Sequence, residues 1–345
     1  MKVLVTGGGG FLGTRITELL VARGDCVRVL GRRRYPHLES LGAECVAADI
    51  RDADAVRSAC TGVDVVFHVA GLTGMWGPRK AFFETNVAGT VNVVEACQHH
   101  GVGRLVYTSS PSVVHGVDST IINAGDEGMP YPRRYLAPYP ESKARAEHHV
   151  LQANGETTAT CAIRPHLIWG AGDRHLVPRI AARAKAGKLT HVGDGKNLVS
   201  LTYIDNAATA HLQAADVLAP GSPVAGKAYF VVDAEPVLLW GWIRDLVARL
   251  GLAPPTRVIS YPVAYGCAWL SEIACRLLPC LGEPSLTRFV VAQAARPHYF
   301  SHDRATADFG YRPIVDNPTG IDRTVEWLQQ NPEILSDPSP IETKG

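Results

Sequence analysis

Thr6-Gly7-Gly8-Gly9-Gly10-Phe11-Leu12-Gly13 joins an apolar run, Val3 to Val5, to a stretch from Thr14 to Arg23 whose apolar residues recur at helical spacing. Glycines at 7, 10 and 13 in such a strand-to-helix turn permit a tight bend, a close approach of backbone to a pyrophosphate, and close packing of the helix on the strand. The helix start adds unpaired N–H groups and the positive end of a dipole, both suited to phosphate. Gly7, Gly10, Phe11, Leu12 and Gly13 are therefore expected to touch a dinucleotide.

Outward from this loop, apolar runs of strand length recur at Val27 to Leu30, Cys45 to Ala47, Val63 to Val69, Leu105 to Tyr107 and Thr160 to Ile163. Helical spacing fills the gaps, as in Val87, Val91, Val94 and Cys97. That alternation predicts an α/β fold with a Rossmann-type, doubly wound parallel sheet and right-handed crossovers. After Arg164 the rhythm yields to glycine-punctuated loops, Trp169 to Asp173 and Val192 to Gly195, before one more strand and helix over Ser200 to Ala215. A second, smaller, interleaved domain is expected. Residues 1–165, with 199–232 returning, would bind the dinucleotide; 166–198 and 233–330 would bind the substrate; 331–345 read as a loose tail.

Composition narrows the partners. A chain of 345 residues suits two domains at about 150 each, and 46% hydrophobic with 19% charged residues excludes disorder. Lys+Arg 34 against Asp+Glu 33 carries no signature of nucleic-acid binding. The eight cysteines form no C-x-x-C pair and no cysteine-histidine ladder, so no metal site is expected. They read as small buried hydrophobes in a reducing, cytoplasmic setting. Met1-Lys2 runs straight into the first strand, without a signal-peptide pattern. Between Pro262 and Pro279 an apolar stretch broken by Glu272 and Arg276 is too short to span a bilayer. It reads as a buried helix with an i,i+4 ion pair; a lid over a greasy substrate, or peripheral contact with a membrane surface, is the alternative.

The second strand should end in an acid that holds a ribose 2′-hydroxyl, yet Cys26 to Leu38 contains none and reads Gly31-Arg32-Arg33-Arg34. Arg32 and Arg33 suit a 2′-phosphate, which favours NADP(H) over NAD(H); a solvated basic turn is the plainer alternative. Asp49 and Ile50 after the third strand, and Ala70 and Gly71 after the fourth, fall where adenine and ribose would lie.

Tyr139-Pro140-Glu141-Ser142-Lys143 sets Tyr139 and Lys143 four apart, on one face of a helix that must begin near Pro140. Upstream, Leu105 to Ser112 is a strand running into a hydroxyl cluster at the carboxyl edge, where open α/β sheets bind ligands. A phenol exchanges a proton with a carbonyl oxygen only if its pKa, near 10, is pulled down. An ammonium about 4 Å away would lower it by roughly three pH units.

These residues resemble the extended short-chain dehydrogenase/reductases, whose TGxxGxxG and YxxxK motifs match Gly7, Gly10, Gly13 and Tyr139, Lys143. The resemblance implies Tyr139 as acid/base and Lys143 as ribose ligand and pKa depressor. It further implies Ser110 as donor to the substrate oxygen, Asn86 as a support and Pro165 beside the cofactor; Ser109 and Ser112 stay open as alternative donors. Tyr107-Thr108-Ser109-Ser110, Arg164-Pro165, Tyr203 to Ala208 and His298-Tyr299-Phe300-Ser301 are similar to the 3β-hydroxysteroid dehydrogenase group, over about residues 1 to 330. Gly31 to Pro36, Ser109 to Val114, Arg164 to Gly170 and His175 to Arg179 look like the branch that reduces 2-alkyl-3-oxoalkanoates in bacterial olefin and β-lactone pathways. His115 departs from it, standing where an aromatic is expected.

The implied reaction interconverts a β-keto and a β-hydroxy group on a large apolar lipid substrate. Sterol-4-carboxylate 3-dehydrogenation is the alternative. A nucleotide-sugar epimerase or dehydratase would need a cationic diphosphate site that the apolar C-terminal part lacks, and a non-catalytic cofactor sensor would not need Ser110, Tyr139 and Lys143 together. Arg179 and His166 are candidate holders of a substrate carboxylate, with packing roles as the alternative. The resemblance also implies a homodimer paired through Val87 to His99 and Pro140 to Val150.

Overall fold

The computed structural model describes residues 1–118 and 120–336. Seven parallel strands form the central sheet: β1 (Lys2–Thr6), β2 (Cys26–Gly31), β3 (Glu44–Ala47), β4 (Val65–His68), β5 (Arg104–Thr108), β6 (Ala159–Pro165) and β7 (Lys227–Val231). Their order is β7-β6-β5-β4-β1-β2-β3. Order reverses between β1 and β4, and that switch opens a crevice at the carboxyl ends of the strands. Both faces are covered. Helices α1 (Phe11–Ala22) and α5 (Ile204–Val217) pack one apolar layer; α2 (Ala53–Ala59), α3 (Gly89–His100) and α4 (Pro138–Gln152) pack the other. The sheet interior therefore reads as unbroken apolar runs, such as Val65-Val66-Phe67 at 0% exposure.

Several local expectations are corrected. The strand expected near Ser200 forms as two short pieces outside the main sheet, Leu198–Val199, which pairs with Val237–Leu238, and Thr202–Tyr203, which pairs with Ile168–Trp169. Lys227–Val231, beyond the helix, is the strand that extends the sheet, in register with Cys161 to Pro165. The tail is not loose from Asn331: Glu333–Ser336 is helical, with Ile334 and Leu335 packed on the core, and residues 337–345 lie outside the described residues. Of the cysteines, Cys60, Cys97, Cys161 and Cys275 are buried, whereas Cys26, Cys267 and Cys280 are exposed and Cys45 half-buried. Cys26 is exposed because it opens β2 at the sheet's rim.

The apolar stretch forms helix Tyr261–Leu277, but it is not a buried helix. Ala264, Ala268, Glu272 and Cys275 face inward, while Val263, Trp269, Leu270 and Leu277 are 48–74% exposed. The expected Glu272–Arg276 pair does not form. Glu272 is on the inward side and pairs with Arg288 at 2.8 Å, while Arg276 turns outward over the Trp76 ring at 5.5 Å. Among the described residues, no helix is long and apolar enough to cross a membrane.

One buried ion pair ties α4 to the sheet. Arg164 of β6 reaches Glu147 of α4 through two bonds of 2.6 and 2.8 Å, and Tyr131 donates to the same carboxylate at 2.6 Å. Burial works to raise the Glu147 carboxyl, but the Arg164 charge and hydrogen bonds overcome it and hold the group below its usual range. Its stabilising contribution is thus present above the unfolded carboxylate pKa, about 4.3, and is lost as pH falls below that value. Glu147→Gln would leave a buried guanidinium without its charge partner and is expected to cost about 3–5 kcal/mol of stability. Urea unfolding at pH 7 measures the loss, and the gap to wild type should narrow at acid pH.

Candidate active site

The glycine loop has the geometry that its sequence implies. Gly7 has φ +69°, and a Cβ there would stand 2.7 Å from the Ala70 backbone; one on Gly13 would stand 2.2 Å from the Gly7 carbonyl oxygen. No side chain caps α1 and no acid lies in its first turn, so its N–H groups and dipole face outward unopposed. Phe11 and Leu12 form that first turn, Leu12 in the core and Phe11 packed at its edge. Sequence reading missed Tyr35. Its ring lies against the loop so closely that a Cβ on Gly9 would stand 2.0 Å from it, and one on Gly31 would stand 2.6 Å from its hydroxyl. That contact explains Gly9, while Gly8 is required by Val29, 2.6 Å from where its Cβ would stand; periodicity reveals neither.

At the far end of the crevice, Arg32 and Arg33 are exposed just beyond β2, while Arg34 pairs with Glu39 at 2.6 Å. Asp49 is engaged by Arg51 at 2.8 and 3.1 Å; these hydrogen bonds outweigh burial and hold its carboxyl below the usual range. Asp49 and Arg51 border an open cavity of about 530 Å³ with Asp52, Glu84 and Ala88. Ile50 is buried instead, under α3, where a Cβ on Gly89 would stand 2.7 Å from it. Ala70 abuts Gly7, Gly71 lies near Asn86 and Lys143, and Pro165 ends β6.

The hydroxyl cluster and the helix meet at the carboxyl edge of β5. Ser110 caps a short 3-10 turn, Pro111–Val114, and accepts from the Ser112 backbone at 3.2 Å and the Ser112 hydroxyl at 2.9 Å. Ser110 also stands close enough to the Tyr139 phenol to act on its proton. Ser109 is buried beside Glu147 instead. Helix α4 starts at Pro138, with prolines in its first turn where the missing N–H costs nothing. Tyr139 and Lys143 therefore share one face. The Lys143 ammonium donates to the Thr108 carbonyl at 2.5 Å and stands 4.2 Å above the Tyr107 ring.

Electrostatics depart from expectation at the phenol. Burial pushes Tyr139 up from its ordinary value, with the Ser110 hydrogen bond opposing, and Lys143 does not pull it down. The ammonium is turned to the Thr108 carbonyl, and burial lowers Lys143 itself to about 7 against the field of Glu147. A lysine poised near neutrality can release or take a proton at working pH.

A hydrogen-bond chain, also unforeseen, links the glycine loop to this helix. The Ala70 N–H donates to the Thr6 hydroxyl at 3.3 Å, and Thr6 and the His68 Nδ1 are 2.7 Å apart. His68 Nε2 lies 2.9 Å from the Thr90 hydroxyl, which donates to the Asn86 carbonyl at 2.6 Å. Asn86 then bonds both backbone groups of Leu72 and, through Nδ2, the Ser142 hydroxyl at 2.9 Å; Ser142 donates to the Tyr139 carbonyl at 2.8 Å. Asn86 sits in a π-helical turn, Phe83–Ala88, that leads into α3.

Comparison with known proteins identifies the family. The model of the 3-beta hydroxysteroid dehydrogenase/isomerase family matches residues 4–263. The chain is 46% identical over 323 residues to a 2-alkyl-3-oxoalkanoate reductase of Stenotrophomonas maltophilia, covering 94% of this chain and 98% of that one. It is 34% identical to a mouse (Mus musculus) sterol-4-alpha-carboxylate 3-dehydrogenase, decarboxylating, over 94% of this chain and 90% of that one. Among solved structures, the dTDP-glucose 4,6-dehydratase DesIV of Streptomyces venezuelae with NAD bound shares the fold at TM-score 0.77 and 23% identity, over 98% of this chain and 100% of that one.

Proposed function

The chain belongs to the 3-beta hydroxysteroid dehydrogenase/isomerase family, and from that membership we propose that it reduces the 3-keto group of 2-alkyl-3-oxoalkanoates with NADPH. It is an oxidoreductase acting on CH–OH groups with a nicotinamide cofactor. The observation that carries the substrate is the likeness along 94% of the chain to a reductase named for it. In this reading residues 1–165 and 199–232 hold the cofactor and 166–198 with 233–330 hold the substrate. Gly7, Gly10 and Gly13 with the open start of α1 fit a pyrophosphate, because a side chain at Gly7 would collide with Ala70 and one at Gly13 with the Gly7 carbonyl, so the turn presents bare backbone to a ligand.

The bound nicotinamide would supply the hydride to C3. Tyr139 then gives its proton to the oxygen of C3, and Ser110, whose hydroxyl accepts from Ser112 and keeps its one hydrogen to give, donates to the same oxygen. Lys143 orients the ribose and, poised near neutrality, restores the proton. Two copies pair through α3 and α4.

The defining assay runs in reverse on stable 2-alkyl-3-hydroxy acids with NADP⁺, following absorbance of the product. Efficiency should rise with alkyl length, about fourfold per buried methylene from ~0.8 kcal/mol each, until the pocket is full. Activity on 4-carboxysterols with none on the acyclic acids would transfer the assignment to sterols. In the same assay Tyr139→Phe should lose about 10² to 10⁴-fold in kcat, with NADPH affinity nearly intact. More than a third of the wild-type rate would remove Tyr139 from the role.

Cofactor choice rests on Arg32 and Arg33, exposed beyond β2 with no acid beside them in that turn. One charge-assisted contact to a 2′-phosphate contributes about 1.5–3 kcal/mol, so NADPH should be preferred over NADH by about 10 to 150-fold. Substituting both arginines by alanine should erase that ratio, measured as kcat/KM for each cofactor.

A further inference from the structure

Three histidines, drawn from distant parts of the chain, meet at the carboxyl edge of the sheet and have no part in the steps above. His115 follows the 3-10 turn that Ser110 caps, His166 is the first residue past β6, and His298 opens the short strand His298–Phe300. Their exposures are 4%, 5% and 0%. The His298 ring centroid lies 4.9 Å from that of His166 and 5.5 Å from that of His115, and Phe300 flanks both His115 and His166.

The hydrogen bonds decide the tautomers of two rings. His298 Nε2 lies 2.8 Å from the Gln293 carbonyl oxygen, which can only accept, so Nε2 carries the proton and Nδ1 is bare. His166 Nε2, 2.7 Å from that Nδ1, must therefore donate. The remaining nitrogen of His166, Nδ1, carries a lone pair while the ring is neutral. Among the described residues neither nitrogen of His115 has a hydrogen-bond partner, although the Pro111 carbonyl is close enough to act on the ring. A buried polar atom without a partner has to be accounted for by strain, water, an ion or a ligand, and here both nitrogens of one ring are in that state beside two other imidazoles.

Position relates the cluster to the chemistry. Thr108 of β5 is in register with Ile163 of β6, and the Ser109 N–H donates to the Ile163 carbonyl at 2.7 Å. Carried past the strand ends, that register sets Ser110 opposite Pro165, about one strand spacing of 4.8 Å away, with His166 the next residue on. In a 3-oxo acid the carboxylate carbon is two bonds from C3, so a group that holds it must stand beside the one that holds the C3 oxygen. The backbone at His166 is firmly set: Thr202 bonds both its N–H and its C=O at 2.9 Å, and Leu167 is held at φ +43°, a region leucine rarely enters. Arg179, the other candidate, lies exposed on helix Leu176–Lys185.

We infer that the His115–His166–His298 cluster is the binding site for the substrate's carboxylate, and that it takes up one proton as the carboxylate enters. This rests on the reading of the substrate as a 3-hydroxy or 3-oxo acid. The cluster's own surroundings keep it uncharged, since burial holds His115 near 3, His298 near 4 and His166 well below its ordinary value. Among the described residues no carboxylate acts on these rings. Of the flanking charges, Arg164 is turned to Glu147, and Arg296 to Tyr261 and Thr120. An anion about 4 Å away would raise an imidazole by roughly three pH units, which for His298, less depressed than His115, is enough for it to hold a proton shared with His166 near neutrality. The Gln293 carbonyl at the end of the chain then supports the shared charge.

The test compares each 2-alkyl-3-hydroxy acid with its methyl ester in the reverse assay. Wild type should favour the acid, and its KM for the acid should rise from about pH 6 to 8 while that for the ester stays flat, because the binding form is the protonated one. His166→Gln should lower the acid-over-ester ratio of kcat/KM by about ten- to hundredfold and flatten the pH dependence. If that variant does not fold, His115→Phe, which keeps a ring among Phe289 and Phe300, must lower the same ratio. An unchanged ratio, or a wild-type KM that ignores pH, overturns the inference while leaving the substrate reading standing. A wild type that accepts neither acids nor esters overturns both.

Discussion

A neutral imidazole is the constraint on which the site depends. His68 is fully buried between the glycine loop and α3, and burial, with the Lys143 charge nearby, drives it down to about 3. The Thr90 hydroxyl spends its hydrogen on the Asn86 carbonyl, so it must accept from His68 Nε2, and Nδ1 is left to accept from Thr6. Every hydrogen bond from Ala70 to Tyr139 then has one allowed direction. A chain with no spare donor cannot rotate one member without stranding another in a dry interior, at about 1–3 kcal/mol per stranded group. The turn that would cradle a pyrophosphate and the helix that carries the phenol are thereby held in one frame.

Charge is placed sparingly around that frame. Glu147 and Arg164 neutralise each other under α4, which lets Lys143, one helical turn earlier, remain buried with only carbonyl and aromatic partners. Such partners stabilise an ammonium less than a carboxylate would, and this is why burial brings the lysine close to neutrality. Glu147 therefore serves two ends, anchoring the helix to the sheet and limiting how far Lys143 falls.

The helix Tyr261–Leu277 follows a different rule. Its inward stripe is small, Ala264 and Ala268, with Glu272 tied to Arg288, so it approaches the body closely and burial is spent on few atoms. The larger apolar side chains, Trp269, Leu270 and Leu277, face outward. The i, i+3, i+4 spacing of apolar residues locates a helix, but when apolar residues occupy two faces it does not say which one the body covers.

The order of local elements was written in the chain. Apolar runs five or so residues long can satisfy their backbone only in a sheet buried on both faces, and glycines at 7, 10 and 13 allow few other turns, so the alternating fold and its phosphate-type loop follow from residues close in sequence. The pairing of Tyr139 with Lys143 is equally local, being one helical turn. What tertiary structure decided are contacts that no spacing encodes: Tyr35 on Gly9, Glu272 with Arg288 rather than Arg276, Lys227–Val231 as the seventh strand, and His115, His166 and His298 in one cluster. The state of the phenol belongs there too, because a pKa reports how much water and charge surround a group once the whole chain has packed. Local sequence sets which turn or helix is cheap; the environment of a buried proton depends on partners up to 132 residues away, as His166 and His298 are.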